Sequence, residues 1–121
     1  MSKLKWEVLA KKAGVNPKAL PDVSMYPESL KKRAVADYKI GIIAMALNPK
    51  NRKADYSDSN EWKWYPWFRY DKALGRFVFG GSLCDDTGAI AGAGVRHTFA
   101  TEELSNQAGK DFEDIYNDQL S

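Results

Sequence analysis

The sequence predicts an α+β domain, in which N-terminal helices and a C-terminal helix pack on a small antiparallel β-sheet. Three observations support this fold class: a long amphipathic stretch begins near Pro27, aromatic segments within residues 61–79 alternate like β-strands, and a helix with an acidic first turn closes the chain. At 121 residues, 44% of them apolar, the chain has the length and composition of one domain with a real core. We expect one domain over residues 1–121, with a helix and connector in residues 1–26 and the main body in residues 27–121.

Two helices are predicted in the N-terminal half. Residues 2–13 form a short amphipathic segment, and Gly14 follows where a left-handed C-terminal cap would stand. Residues 15–26 contain two prolines that are too close together for a helix interior, so this segment is a connector. A long helix then runs from Pro27 to Asn48. Its expected buried stripe consists of Leu30, Ala34, Tyr38, Ile42 and Met45.

The segment EWKWYPWFRY at residues 61–70 predicts a strand rich in aromatic side chains. Because side chains alternate along a strand, these residues divide between two faces. One face, which we expect to lie in the core, consists of Trp62, Trp64, Pro66, Phe68 and Tyr70. The opposite face consists of Glu61, Lys63, Tyr65, Trp67 and Arg69. Pro66 has no N–H to donate, so the strand must lie at a sheet edge, or be bent or interrupted there.

A second strand is predicted at residues 76–79, with residues 71–75 as the turn, so the two segments form a hairpin. Phe77 and Phe79 then face the aromatic core side. Residues 80–94 contain five of the nine glycines and are the least predictable segment of the chain.

The chain closes with a short strand and a helix. Residues 95–99 predict the strand, and Thr101 is placed to cap the helix, whose first turn carries two glutamates that suit its positive end. The apolar face of this helix consists of Leu104, Ala108, Phe112, Ile115 and Tyr116.

Charge is distributed unevenly along the chain, although the net charge is only +2. Residues 1–53 contain twelve Lys/Arg and four Asp/Glu, a balance of +8, whereas residues 54–121 contain six and twelve, a balance of −6. Such a division indicates either a basic face for an anionic partner or two halves that pack through complementary surfaces. Charge alone favours neither.

Composition excludes several classes of protein. The longest apolar run, residues 40–47, is far shorter than the roughly 20 residues that span a bilayer, and the basic N-terminus has no hydrophobic core of a secretory signal. One cysteine, Cys84, excludes an internal disulfide framework, and one cysteine with one histidine excludes zinc sites built from these ligands in a single chain. We expect a cytoplasmic protein with no membrane segment, cofactor or structural metal.

The candidate catalytic motifs are weak. The Asp-Thr-Gly tripeptide at residues 86–88 is typical of aspartic proteases, but only 33 residues follow it, too few for the rest of that barrel, and a turn is preferred. No Lys-Ser/Thr follows the glycine-rich residues 92–94, so they are not a phosphate-binding P-loop. His97 and Cys84 have no partner that sequence can place beside them. We therefore expect a protein that is not an enzyme.

Two groups of side chains suit binding instead. On the long helix, a basic group falls mostly off the apolar stripe and is placed to meet phosphates; it consists of Lys31, Lys32, Arg33 and Lys39. On the outward side of the first strand, aromatic side chains flanked by cations are placed to stack on bases; these are Lys63, Tyr65, Trp67 and Arg69. The hypothesis is nucleic-acid binding through these residues. The alternative is a protein-interaction or assembly module, either a homo-oligomer or the partner of another protein.

Three segments together resemble a family of small uncharacterised proteins encoded by phages and prophages of Bacteroidetes: AVADYKIGIIAMALNP, NEWKWYPWFRY and ELSNQAGKDFEDIYNDQL. The matching positions are Tyr38, Lys39, Ala46, Leu47, Asn48, Lys63, Tyr65, Pro66, Trp67, Phe68, Glu103, Leu104, Ala108, Gly109, Lys110, Phe112, Ile115 and Tyr116. The similarity covers roughly residues 35–120. Two segments depart from the family pattern, because residues 95–99 contain no cysteine and residues 80–94 are rich in glycine instead of aromatic residues. The resemblance implies a phage-type origin and a shared architecture, and it implies no mechanism.

Overall fold

The computed structural model of the protein describes residues 3–50, 55, 57–58, 61–85 and 97–120. Within them the chain forms four helices and a two-stranded antiparallel sheet, which confirms the predicted α+β class. The elements in chain order are α1 (Trp6–Lys12), α2 (Glu28–Leu47), β1 (Lys63–Asp71), β2 (Arg76–Asp85), α3 (Glu102–Asp111) and α4 (Glu113–Leu120). Helices α3 and α4 pack on the sheet, α2 packs on α4, and α1 packs on α2. No helix described is both long and apolar enough to cross a membrane.

Helix α1 is shorter than predicted, because it begins only at Trp6. Its predicted end is confirmed: Gly14 follows the helix with a φ of 85°, a conformation that glycine adopts at little cost. The connector is tied to this helix by the indole N–H of Trp6, which donates to the backbone carbonyl of Pro17 at 3.1 Å. The backbone N–H of Leu4 donates to the Asp111 carboxylate at 2.9 Å and so joins the N-terminus to α3.

Helix α2 has the predicted bounds, but its predicted buried stripe is partly wrong. Leu30 is 37% exposed and Met45 63% exposed, whereas Ile42 is buried as expected. The row that packs against α1 and α4 contains Ala36, Ile40, Ile43 and Ala44. The physical reason is the apolar run at residues 40–47, which gives this part of the helix apolar side chains all round. Neighbouring helices, and not the pattern, then decide which side is buried.

Asn48 ends α2 and also holds the segment that leads into α3. Its side-chain N–H donates to the carbonyl of Thr98 at 2.9 Å, and its side-chain oxygen accepts from the N–H of Ala100 at 2.7 Å. One amide therefore satisfies two backbone groups about fifty positions away in the sequence, which fixes this segment against the helix end.

The predicted hairpin is confirmed, with a longer second strand. Pairing runs from Asp71 opposite Arg76 at the turn to Lys63 opposite Asp85, so β2 includes the first part of the glycine-rich segment. The register shifts between Trp67 and Phe68, one residue after Pro66, so the strand is irregular close to the proline, as predicted.

The strand predicted at residues 95–99 is represented by a single bridge. Residues 95 and 96 lie outside the described part of the chain, and Phe99 pairs with Trp64. The two residues exchange both backbone hydrogen bonds, at 3.0 Å and 2.7 Å. Phe99 is fully buried, so this bridge lies in the core.

The predicted C-terminal helix is divided in two. Thr101 caps α3 as predicted, its hydroxyl accepting from the N–H of Leu104 at 3.2 Å. Phe112 then leaves helical geometry, with a φ of −117° and ψ of 33°, and separates α3 from α4. This break lets both helices cover the sheet. Gly109 faces it so closely that a Cβ there would lie 2.5 Å from the ring of Phe79.

The core lies between α2, the C-terminal helices and one face of the hairpin. Its buried members include Leu9 from α1, Ile40 and Ile43 from α2, and Ala108 and Phe112 near the helix break, together with Phe99 and Tyr116. Trp64 and Phe68 pack against this cluster from β1, as predicted, and remain partly exposed.

Candidate functional site

The two predicted groups of binding residues lie on different elements, α2 and β1. Helix α2, which carries the basic group, packs on the other helices, and the core cluster that includes its Ile40 also receives Trp64 and Phe68 of β1. The sheet, which carries the aromatic group, packs on α3 and α4. The two predicted groups are therefore two separate candidate surfaces, as the sequence analysis treated them.

One face of the hairpin is turned away from α3 and α4. Pro66 and Phe79 meet Gly109 of α3, and Phe68 lies 4.9 Å from Tyr116 of α4 between ring centroids, so these residues mark the covered side. By alternation along β1, and by pairing with β2, the opposite side is defined. We call it the outer face, and it consists of Tyr65, Trp67, Arg69, Val78, Gly81 and Leu83.

The outer face exposes large apolar side chains. Trp67 is 40% exposed and Leu83 50% exposed, while Tyr65 and Val78 are half-buried. Arg69 is exposed beside them and forms no ion pair within the described residues. Trp67 and Arg69 are therefore exposed as predicted, whereas Tyr65 is half-buried, and Tyr65 and Trp67 also form part of the wall of a cleft described below.

Trp67 owes its position to two glycines. Its ring lies across the backbone of β2, where a Cβ at Gly80 would overlap the six-membered ring and a Cβ at Gly81 would lie 3.1 Å from the indole nitrogen. Any larger residue at position 80 would displace the ring. The glycine-rich segment, which was the least predictable from the sequence, therefore begins with two glycines that leave room for the Trp67 ring.

Lys63 was predicted on the outward side, and this prediction is wrong. Its side chain is fully buried. The ammonium group donates to the carbonyl of Glu61 at 3.0 Å and to that of Asp58 at 3.4 Å, and it lies 3.4 Å from the Glu61 carboxylate. The chain preceding β1 supplies these acceptors and covers the lysine, which a strand pattern cannot indicate. Lys63 is therefore not available to a phosphate.

Trp62 was predicted in the core, and this prediction is also wrong, because the side chain is 52% exposed. Strand β1 begins only at Lys63, so the alternation does not extend to residue 62. The Trp62 ring instead stacks on Trp64, with centroids 5.8 Å apart and planes at 15°.

The basic group on α2 is largely engaged within the molecule. Lys31 lies 2.6 Å from the Glu28 carboxylate, and Lys32 lies 4.0 Å from that of Asp118 on α4. The Lys39 ammonium lies 5.4 Å from the centroid of the Trp6 ring on α1. Arg33 is exposed. Lys31, Lys32 and Lys39 line one cleft of about 310 Å³, which Asp118 also lines. Exposed pairs of this kind are weak, so the lysines keep part of their capacity for an anion.

A second cleft was not predicted from the sequence, although the candidate residues Tyr65 and Trp67 form part of its wall. It has a volume of about 280 Å³ and is lined by Ile40 of α2, residues 65–68 of β1, Phe77, His97, and Tyr116 and residues 119–120 of α4. We call it the Tyr116 cleft. Its walls are mainly apolar or aromatic, which is the common character of small-molecule sites. Sequence patterns missed it because its residues come from five separate segments of the chain.

The hydroxyl of Tyr116 is buried and has no hydrogen-bond partner among the described residues. Tyr116 is only 5% exposed, and its burial raises the pKa of the hydroxyl well above the usual value. Buried polar atoms are almost always hydrogen-bonded, so this group requires a partner that is not one of the described side chains.

His97 stands at the polar end of the same cleft. Its Nε2 lies 3.1 Å from an oxygen of Asp37, and the Gln119 amide donates to the same oxygen at 3.2 Å. The imidazole also lies against Gly41, where a Cβ would approach a ring carbon to 3.1 Å. This carboxylate partner comes from α2, sixty positions away, which explains why sequence could not place it.

The other residues considered for catalysis are Cys84, residues 86–88 and residues 92–94. Cys84 lies opposite Trp64 in the hairpin and does not line the cleft that contains His97. The Asp-Thr-Gly tripeptide at residues 86–88 and the glycines at residues 92–94 lie outside the described residues. In the part of the chain that is described, no group of three or more His, Cys, Asp or Glu side chains is arranged to hold a metal ion.

Comparison with known proteins gives no match: no family model, no curated protein and no solved structure matches this chain.

Proposed function

We propose that this chain is a non-enzymatic binding protein of phage or mobile-element type, which contacts a protein partner through the outer face of its hairpin. The observation that carries the proposal is the exposure of Trp67 and Leu83 on the outer face, opposite the side on which Pro66 and Phe79 meet α3. Exposed aromatic and aliphatic side chains grouped on one face are typical of protein contact sites. The phage-type origin is supported by the resemblance of the three segments in residues 35–120.

Charge at the outer face indicates the chemistry of the partner. Arg69 is exposed beside the apolar group, and Lys72 is exposed in the adjoining turn. Arginine forms bidentate pairs with carboxylates and is frequent among residues that dominate binding energy. The partner surface is therefore apolar at its centre and carries a carboxylate opposite Arg69.

The decisive variant is Leu83→Asp. It places a charge in the apolar group and leaves the contact of the Trp67 ring with Gly80 and Gly81 unchanged. Leu74→Asp is the matched control, because Leu74 is 64% exposed and lies in the turn, away from the outer face. Both variants should keep the circular dichroism spectrum and unfolding midpoint of the wild type. Wild type and Leu74→Asp should retain the same co-purifying protein or the same self-association by light scattering, and Leu83→Asp should lose it.

Arg69→Glu then tests the charge of the partner, and it should weaken the same contact more at low salt than at high salt. A contact that survives both Leu83→Asp and Arg69→Glu would place the interface elsewhere. A wild-type chain that stays monomeric and captures no protein would contradict the proposal.

Nucleic-acid binding is the second candidate, and exposed cations on the N-terminal helices favour it. Lys5, directly before α1, and Lys11 and Lys12 of α1 are exposed and have no ion pair within the described residues, and Lys32 and Arg33 are exposed on α2. Fluorescence anisotropy with single- and double-stranded oligonucleotides tests it. Affinity should fall steeply with salt, and the double variant Lys32→Glu/Arg33→Glu should lose it. This function would be excluded if the affinity did not depend on salt concentration, or if the protein bound none of the oligonucleotides.

A further inference from the structure

The two edges of the hairpin differ in how their backbone groups are satisfied. On β2, the side-chain amide of Asn117 accepts from the N–H of Phe77 at 2.7 Å and donates to its carbonyl at 2.9 Å. The N–H of Phe79 donates to the Glu113 carboxylate at 2.8 Å. Side chains of α4 therefore close this edge against another strand, which is a common protection of exposed sheet edges.

The corresponding groups of β1 lie on the opposite edge. In an antiparallel pair, two residues directly opposite each other either exchange both backbone bonds or turn both away from the partner. Phe77 and Phe79 turn away from β1, and their partners are Tyr70 and Phe68. The N–H and C=O groups of Phe68 and Tyr70 therefore point away from β2, and no described residue forms a hydrogen bond with them.

Only the beginning of this edge is paired within the described residues. Trp64 exchanges both backbone bonds with Phe99, on the side away from β2. Pro66 comes next on this side, and it has no N–H with which to continue a ladder. In the part of the chain that is described, the edge of β1 is therefore open from Pro66 to Tyr70.

The Tyr116 cleft runs along this open edge. Residues 65–68 of β1 all line it, although alternate side chains point to opposite faces of the sheet. A cleft that contacts four consecutive residues lies beside the strand, on the edge that β2 does not occupy. Its further walls include Ile40, Phe77 and Leu120, so an apolar side chain of an added strand would find apolar surface there.

Charge beside the edge restricts the sequence of an added strand. Arg69 is exposed on the outer face, between Phe68 and Tyr70. The residue opposite Arg69 on an added antiparallel strand shares that face, so a carboxylate suits it, whereas its two neighbours point towards the cleft side and suit apolar residues. A second copy of β1 centred here would set Arg69 opposite Arg69, and like charges in this position are unfavourable.

We propose that the edge of β1 from Pro66 to Tyr70 is a β-strand addition site, where a partner protein adds an extended antiparallel segment with the pattern apolar–acidic–apolar. Phe68 and Tyr70 supply the backbone hydrogen bonds, the Tyr116 cleft receives an apolar side chain, and Arg69 contacts the carboxylate. Sites of this kind take affinity from backbone bonds and specificity from pockets for alternate side chains. The inference rests on the proposed function, because it describes how the protein partner contacts the region beside the outer face.

The probe is the blocked peptide acetyl-Ser-Thr-Val-Glu-Val-Thr-Ser-amide, titrated into the ¹⁵N-labelled protein. Its matched control has N-methyl groups on both valines, which removes the two donors to β1 and keeps every side chain. The first peptide should shift the backbone signals of Phe68 and Tyr70, and the N-methylated peptide should bind at least about tenfold more weakly. Replacement of the glutamate by lysine should weaken binding about two- to fivefold. Equal binding of the N-methylated peptide, or no binding of the first peptide, would overturn the proposal.

Tyr70→Pro removes one donor from the edge itself. The N–H of Tyr70 has no partner among the described residues, and proline is tolerated in an edge strand where the N–H faces outward. Tyr70→Thr is the matched control, because it loses the same ring and keeps the N–H. Both variants should keep the circular dichroism spectrum of the wild type. Tyr70→Thr should bind the peptide within about threefold of the wild type and Tyr70→Pro about tenfold more weakly, whereas equal affinities of the two variants would contradict the proposal.

Amide hydrogen exchange tests the edge without a variant. In the free protein the N–H groups of Phe68 and Tyr70 should exchange faster than those of Phe77 and Phe79, which are bonded to α4, and the peptide should slow them. If they exchange slowly in the free protein, the chain itself covers this edge and the proposal fails.

Leu83→Asp separates this inference from the proposed function. Leu83 lies on β2, away from an added strand, so the variant should bind the peptide as the wild type does. If the peptide does not bind and Leu83→Asp still abolishes the partner contact, strand addition is wrong and the outer-face contact stands. If the peptide binds and the partner contact survives Leu83→Asp, the edge site stands and the outer-face contact is wrong.

Discussion

The ring of Trp67 occupies the space above Gly80 that any side chain at position 80 would need. The Trp67 ring can therefore hold its position only if residue 80 has no side chain. Gly80→Ala should therefore destabilise the protein by about 1–3 kcal/mol, the usual cost of forcing extra volume into a packed site. Urea unfolding followed by circular dichroism measures it.

The control for this prediction is Gly80→Ala in a protein that lacks the Trp67 ring. In a Trp67→Ala background, Gly80→Ala should cost much less, because the overlapping atoms are gone, and the difference is the coupling energy of the pair. Equal costs in both backgrounds would show that backbone conformation, and not the ring, requires glycine at this position.

Lys63 should behave as a structural residue. Lys63→Met keeps roughly the length of the side chain but removes the donors to Glu61 and Asp58, and it should cost about 1–3 kcal/mol because two part-buried hydrogen bonds are lost. Lys72→Met, at an exposed position in the turn, should change the free energy of unfolding by less than about 0.5 kcal/mol. Denaturant titration of both variants provides the comparison. If Lys63→Met leaves the free energy of unfolding unchanged, water replaces the ammonium group.

Tyr116 should make stability fall at alkaline pH. Burial raises the pKa of its hydroxyl in the folded protein, while in the unfolded chain the group titrates near about 10. The contribution is complete below pH 10 and is lost as pH rises towards the folded pKa, because only the unfolded state then releases the proton. The free energy of unfolding should fall by up to about 1.4 kcal/mol per pH unit from this group.

The measurement is the difference between wild type and Tyr116→Phe in urea unfolding from pH 8 to pH 11, since other groups titrate in both proteins. Tyr26→Phe, which removes an exposed hydroxyl, should keep the wild-type slope. Parallel curves for wild type and Tyr116→Phe would contradict the prediction.

Asn48 should be sensitive to loss of its side-chain N–H. Asn48→Asp keeps an acceptor for Ala100 but cannot donate to the carbonyl of Thr98, and it adds a carboxylate at the C-terminal end of α2. Both changes are unfavourable, and we expect a loss of about 1–3 kcal/mol in thermal unfolding. Asn16→Asp in the exposed connector is the comparison, because Asn16 uses only its oxygen, towards Lys18, and it should have little effect.

Sequence patterns predicted the local elements well and the distant contacts poorly. The bounds of α2, the hairpin with its turn, and the Thr101 cap follow from residue spacing and from local chemistry, so the sequence is sufficient for them. The burial of Lys63 and the exposure of Met45 depend on what lies next to them in space. Periodicity contains no such information.

The candidate sites show the same division. Trp67 and Arg69 are exposed as alternation predicted, because one strand determines their direction, whereas Tyr65 is half-buried. The Tyr116 cleft was missed, because no single segment shows it. The His97–Asp37 contact joins residues sixty positions apart, and a single sequence gives no reason to pair them.

The Trp64–Phe99 bridge, together with the hydrogen bonds of Asn48 to residues 98 and 100, has a consequence for the order of folding. The hairpin is local and can form quickly, whereas these contacts close loops of roughly 35 and 50 residues, which is slow. If they form after the rate-limiting step, Asn48→Asp should accelerate unfolding and leave the refolding rate nearly unchanged. The contacts around Phe99 would then break before the unfolding barrier is reached, so their strength would set the lifetime of the native state.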